Sequence, residues 1–223
     1  MEVRGRFAPT PSGRMHLGNL LAALLAWLDV RAAGGELVLR IEDLDTQRTS
    51  PDFARQLMDD LRWLGLDWDE GGLEPDYMQS RRTAYYEAAF RVLEEQGLIY
   101  PCYCTRSERM AASAPHREDG AVVYSGRCFH LTAEERWKLE RQGRRPAWRV
   151  RCPDRTVALE DGNCGPYAEN LARDCGDFIV RRSDGVFAYQ LAVVVDDALM
   201  EVNHVVRGRD LLCSAPRQAW LHQ

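Results

Sequence analysis

The chain has 223 residues, 45% hydrophobic and 28% charged, with a formal net charge of −5. That length suits one domain with an insertion or two small domains, and the composition is that of a globular protein. No uncharged apolar run reaches the roughly 18 residues of a membrane span, and a net negative chain is not a general nucleic-acid coat, although a local basic face is compatible with it.

The N-terminus, Met1 to Arg6, lacks the apolar core of a signal peptide, so a cytoplasmic location is the default expectation. Val3 to Ala8 reads as a strand. It runs through Arg6-Phe7-Ala8-Pro9-Thr10-Pro11-Ser12-Gly13-Arg14-Met15-His16-Leu17-Gly18-Asn19 into a long apolar helix. Prolines stiffen this joint, glycines let a ligand approach the backbone, and the helix N-terminus behind it attracts anions. The helix is expected over 17–33, mostly buried, with Gly34-Gly35 as its stop.

Glu36 to Ile41 is a short apolar run of strand type. Strand, helix, strand in this order implies a parallel pair joined by a crossover. This is a Rossmann-type start without the Gly-x-Gly-x-x-Gly fingerprint, so dinucleotide binding is not indicated. The second strand ends in Arg40-Ile41-Glu42-Asp43-Leu44-Asp45, and acids at the carboxyl end of a parallel strand face the crevice where α/β sheets bind ligands.

A second helix is predicted from Ser50-Pro51 to about Leu64, with Gly65 as its stop. A third is predicted from Ser80 to Gln96, with an apolar stripe of Ala84, Ala88, Val92 and Leu93. Thr132-Ala133-Glu134-Glu135 is a capping box for a helix to about Gln142, and Ala147 to Arg151 looks like a strand. Asp177 to Arg182 and Val186 to Asp196 flank Ser183-Asp184-Gly185 as a hairpin, with Leu191 to Val195 as a buried strand. Val202 to Val206 reads as a further strand, and Ser214 caps a last helix that runs to Gln223 without a stop signal.

Seven cysteines exclude a complete disulfide framework. Cys102, Cys104 and Cys128 can supply three thiolates to a tetrahedral zinc, with Tyr124 or His130 as the fourth ligand. On chemistry alone His130 is preferred, because a phenolate is the rarer zinc ligand. Such a zinc would be structural, tying down an insertion too small for its own core. Cys152, Cys164, Cys175 and Cys213 are expected to be ordinary core or surface residues, and His116 a solvated one. The five arginines between Arg141 and Arg151, and the pairs Arg181-Arg182 and Arg207/Arg209, read first as solvated surface.

The segment from Arg6 to Asn19 resembles the His-x-Gly-x opening of class I aminoacyl-tRNA synthetases, and most of all their glutamate-specific branch. Arg40 to Asp45, Asp177 to Asp197 and Val205 to Asp210 extend the resemblance over nearly the whole chain. It implies an α/β fold: a Rossmann-type class I synthetase catalytic domain carrying a zinc-bearing insertion. The expected layout is 1–99 for the first half of the catalytic domain, 100–175 for the insertion and 176–223 for the second half.

The resemblance also implies a glutamate pocket formed by Arg6, Phe7, Ala8, Pro9 and Thr10. In it Arg6 holds the side-chain carboxylate, Glu42 accepts from the ammonium, and Tyr189 and Arg207 complete the contacts. His16, Gly18 and Asn19 would meet ATP, with Mg, and His16 would act in catalysis. The Cys-x-Cys, Tyr-x-x-x-Cys pattern is similar to that of the short paralogues, the glutamyl-queuosine tRNA(Asp) synthetases. It thereby favours Tyr124 as the fourth ligand, whereas Cys-x-His at His130 resembles some full-length glutamyl-tRNA synthetases.

These paralogues join glutamate to the queuosine base in the anticodon stem-loop of tRNA(Asp), and a monomer is expected. The family carries a lysine-bearing loop after the final helix. This chain has a single lysine, Lys138, elsewhere, so a truncation before that loop is expected. The alternatives are a catalytic-domain piece of a glutamyl-tRNA synthetase charging tRNA(Glu), and a non-catalytic module that binds glutamate or tRNA.

Overall fold

A computed structural model describes residues 2–105 and 123–223. His116 lies outside the described residues. Two compact units are present: residues 1–86 with 195–212, and residues 87–194 with 213–223.

In the first unit, strand β1 (Arg4–Phe7) is followed by helix α1 (Leu17–Ala32) and strand β2 (Glu36–Leu39). β1 and β2 pair in parallel from Arg4↔Glu36 to Phe7↔Leu39, and β3 (Glu70–Gly71) adds to β2 in parallel. The expected strand–helix–strand start is therefore present. Helix α2 (Pro51–Trp63) begins as predicted, with the Ser50 hydroxyl accepting from the Asp52 amide. Its Ala54, Leu57 and Leu61 point into a core shared with Ala23, Leu39, Ile41 and Leu66, the spacing of one helical face.

Helix α1 is not mostly buried. Ala23, Ala26 and Val30 are its buried residues, while Leu17 is 82% and Leu21 53% exposed. The reason lies under the helix. A Cβ at Gly5 would collide with Val30, so α1 lies close against β1 and only small or β-branched residues fit between them.

Helix α3 (Thr83–Glu95) starts later than expected, after a 3-10 turn at Gln79–Arg81. Its buried residues are Tyr86 and Phe90, whereas Ala84, Ala88 and Val92 face outward. Two large aromatics four residues apart outweigh the small stripe, because each buries far more area. Val202–Val206 is likewise no strand; the segment meets β1 at one parallel bridge, Gly5↔His204.

The second unit holds an antiparallel sheet of β4 (Ile99–Cys102), β5 (Ala147–Val150) and β8 (Phe178–Arg181), in the order β4-β5-β8. A hairpin of β6 (Thr156–Asp161) and β7 (Gly165–Asn170) precedes β8. Helix α4 (Ala133–Arg141) opens on the predicted capping box, with Thr132 accepting from the Glu135 amide.

The turn after β8 forms, but its return arm is only the bridge Arg181↔Phe187. The predicted strand over Leu191–Val195 is instead helix α5 (Tyr189–Leu199). The last helix, α6 (Ala215–Leu221), lacks the predicted side-chain cap: the buried Ser214 hydroxyl accepts from Gln190 Nε2 at 2.9 Å.

Candidate active site and metal centre

The first site is built where β1 and β2 end. Arg40 donates its amide to the Phe7 carbonyl and Glu42 to the Pro9 carbonyl, so the two segments run on side by side past the sheet. Residues two apart on an extended chain share a face, and Arg40 and Glu42 do so here. Arg40 Nη2 donates to Glu42 Oε1 at 3.2 Å.

Asp196 and Asp197 bring two more carboxylates. Arg40 Nη1 donates to Asp197 Oδ1 at 2.5 Å, and Arg40 Nε stands 3.8 Å from Asp196 Oδ2. Asp196 itself is wholly buried and accepts from Gln79 Nε2 at 2.8 Å, Arg82 Nε at 2.7 Å and the Tyr86 hydroxyl at 2.9 Å.

Arg6 enters this cluster on looser terms. Its Nε is 3.5 Å from Asp197 Oδ1 and makes no hydrogen bond, and Nη1 reaches the Val206 carbonyl at 3.4 Å. Burial lowers its pKa, Asp197 opposes that, and Arg40 and Arg207 add to it. Burial likewise works against the charge on Arg40, but Asp197, Glu42 and Asp196 outweigh it and its pKa is raised. Burial pushes the Glu42 carboxyl up, against the pull of Arg40 and Arg6.

The structure thus brings Arg6, Glu42 and Arg207 together. Phe7, Ala8 and Pro9 run along the same edge, and Thr10 is exposed on the following turn. Tyr189 stands at the start of α5, in the second unit. A 360 Å³ cavity meets Pro11, Asp43 and Ser80, but neither Arg6 nor Glu42 lines it; consecutive residues of an extended chain face opposite ways.

His16 is the N-cap of α1. Its Nδ1 accepts from the amides of Gly18 at 3.1 Å and Asn19 at 3.3 Å, and Asn19 Oδ1 accepts from the His16 amide. Two of the amides expected to be open to a phosphate are therefore engaged by the ring. With Nδ1 as acceptor, the neutral ring carries its proton on Nε2, which leaves one donor on an exposed side chain.

The second site lies at the end of β4. The Sγ atoms of Cys102, Cys104 and Cys128 all lie within 4.8 Å of one another. The Tyr124 hydroxyl is 3.4 Å from both Cys102 and Cys104 Sγ, and it accepts from the Cys128 amide at 3.1 Å. His130 is exposed and not part of the group. Tyr124 is anchored by its backbone bridge to Gly176, which sits at φ 65 where a Cβ would strike Val123 and the Tyr124 amide.

Tetrahedral zinc with thiolate bonds of about 2.3 Å sets edges of about 3.8 Å between sulfurs and about 3.5 Å between sulfur and oxygen. The observed separations fit that donor set. The group can hold a metal ion.

Sequence reasoning missed Arg149. It was one arginine of an apparent surface run, yet it is 5% exposed. Its Nε donates to Cys102 Sγ at 3.3 Å, and its guanidinium carbon lies 3.7 Å from the centre of the Tyr124 ring. Interaction with Cys128, against the opposing push of burial, draws the Cys102 thiol down to about 4, helped by Tyr124 and Arg149. The strand pattern around Arg149, which turns successive residues to opposite faces and so sends some of them inward, was the one sequence signal available.

Residues 2–223 match the family of tRNA synthetases class I (E and Q), catalytic domain, and the chain belongs to that family. It is 53% identical over 228 residues to a glutamyl-Q tRNA(Asp) synthetase of Nitratidesulfovibrio vulgaris, covering 99% of this chain and 69% of that protein. It is also 53% identical to a glutamyl-Q tRNA(Asp) synthetase of Symbiobacterium thermophilum, covering 98% of this chain and 69% of the relative.

Among solved structures it superimposes on a glutamate tRNA ligase of Elizabethkingia meningosepticum, crystallised in complex with its amino acid. The TM-score is 0.83 at 32% identity, over 100% of this chain and 47% of that one. The chain thus spans about half the length of that ligase.

Proposed function

We propose that this chain activates glutamate with ATP and transfers it to the queuosine base of the tRNA(Asp) anticodon stem-loop. The observation that carries the reading is the under-bonded Arg6 guanidinium beside Glu42, in a chain whose relatives at about half identity are named for that reaction. A cation and an anion set side by side suit an amino acid with a second carboxylate, because a planar guanidinium can grip a carboxylate at two points. In this reading Arg6 holds the side-chain carboxylate, Glu42 accepts from the ammonium, and Phe7, Ala8, Pro9, Thr10 and Arg207 complete the pocket.

The chemistry is attack of the substrate's carboxylate on the α-phosphate of ATP, which forms the acyl adenylate as the α–β phosphoanhydride bond breaks and pyrophosphate leaves. The carboxylate is already a nucleophile, so catalysis is positioning and charge neutralisation rather than proton removal. His16 Nε2–H is the donor turned toward the phosphates, with Gly18 and Asn19 fixing the ring, and Mg accompanies the ATP. Cys102, Cys104, Tyr124 and Cys128 hold a structural zinc. The chain works as a cytoplasmic monomer.

Glutamate-dependent exchange of pyrophosphate into ATP tests the first step. Transfer of labelled glutamate to tRNA(Asp) with and without queuosine tests the second. Exchange, with transfer only to the queuosine-bearing tRNA, is the expected result; charging of tRNA(Glu) instead would overturn it. Glutamate binding without exchange would overturn the first step and leave a binding module.

A further inference from the structure

Arg40 is completely buried, and it is the side chain that ties the glutamate-site carboxylates together. Three arginines (Arg6, Arg40, Arg82) face three acids (Glu42, Asp196, Asp197), so the buried cluster is balanced in charge. The bonds are not evenly shared. Asp196 is committed to Arg82, Gln79 and Tyr86. Asp197 is held at 2.5 Å by Arg40 but only at 3.5 Å by Arg6. Among the described residues, Glu42 is engaged through one side-chain oxygen, by Arg40 alone at 3.2 Å.

From this division we infer that Arg40 is a positioning residue that sets both halves of the amino-acid site. By gripping one oxygen of Glu42 it fixes that carboxylate and leaves the other oxygen for the substrate ammonium. By taking Asp197 at 2.5 Å it leaves Arg6 with only a loose ion pair at 3.5 Å and no hydrogen bond to that carboxylate, so the Arg6 fork stays available to the substrate carboxylate. A planar fork holds two carboxylates in fixed directions, which the compact ammonium of a lysine does not. The role rests on the reading of Glu42 and Arg6 given above.

The test is binding of L-glutamate and of glutarate, the same diacid without its ammonium, to the full chain by calorimetry. The variants are Arg40→Lys, Arg40→Gln, Glu42→Gln and the double Arg40→Lys/Glu42→Gln. Thermal unfolding is measured alongside, so that a variant that fails to fold is identified and Arg40→Lys carries the comparison.

The wild type should prefer glutamate. Arg40→Lys should lose roughly tenfold or more of that preference, the worth of one charge-assisted hydrogen bond. Glu42→Gln should lose a similar amount, and the double variant no more than either single one. Equal weakening of both ligands by Arg40→Lys, or an intact preference, overturns the role while leaving the functional reading in place. Failure of the wild-type chain to bind glutamate overturns both.

Discussion

Replacing Tyr124 by Phe removes one oxygen atom and leaves the ring. That oxygen lies 3.4 Å from Cys102 Sγ and from Cys104 Sγ and accepts the Cys128 amide at 3.1 Å. Two losses follow. The buried Cys128 N–H loses its partner, which costs about 1–3 kcal/mol. A structural zinc bound through four ligands with about 10–16 kcal/mol loses about a quarter of that, or about 3 kcal/mol, which weakens binding roughly 100-fold.

His130→Ala touches none of these atoms, because His130 is exposed outside the cluster. Zinc content by atomic emission, and affinity by competition with a chromogenic chelator, separate the two variants. Tyr124→Phe should release zinc under chelator concentrations that the wild type and His130→Ala resist. Full retention by Tyr124→Phe, with loss in His130→Ala, would refute the assignment and show that the thiol cluster recruits the histidine instead.

Three further outcomes are expected. Arg149→Met removes the donor to Cys102 Sγ at 3.3 Å and the cation stacked on Tyr124; zinc affinity should fall roughly 10- to 100-fold, as for other residues that orient metal ligands, in the same chelator assay. Asp196→Asn strands Arg82 and Arg40 against a neutral amide, so calorimetry should show a loss of about 3–5 kcal/mol; a change below about 1 kcal/mol would refute the buried-pair account.

The third concerns pH. The hydrogen bond from Arg4, then that from Tyr77, holds the Glu70 carboxyl below its usual 4.5. A depressed carboxyl stabilises the fold above its unfolded pKa and loses that contribution as pH falls through the folded value. Wild type should therefore exceed Glu70→Gln by less than about 1 kcal/mol at pH 7, since the pair is partly exposed, and the gap should close below pH 4.5. Tyr77, pushed up to about 12 chiefly by Glu70, should return toward the ordinary 10.0 in that variant by absorbance titration.

What could be read from the sequence was what depends on neighbours in the chain. The caps at Ser50 and Thr132 are contacts within three residues, and the β1-α1-β2 start follows from a strand, a helix and a strand of ordinary length. Helix α5 was misread for a definite reason. Leu191, Ala192, Val193 and Val194 are all buried, so neither a period of two nor of 3.6 is visible in them, and the valines tip the balance toward strand. Burial on all sides erases the pattern that distinguishes the two.

The active-site cluster shows a second limit. Arg40 and Asp197 are 157 residues apart, and nothing in either segment names the other. Arg-x-Glu at the end of β2 states that two side chains share a face, and Asp196-Asp197 states only that an apolar run has ended. Yet a fully buried guanidinium needs acidic partners wherever it is, because its charge cannot be shed. Once β2 is accepted as an interior strand, Arg40 requires more than the one neighbouring carboxylate of Glu42. The strongest candidate is the acidic pair that follows the most apolar stretch of the chain, since a buried run carries its flanking residues inward with it.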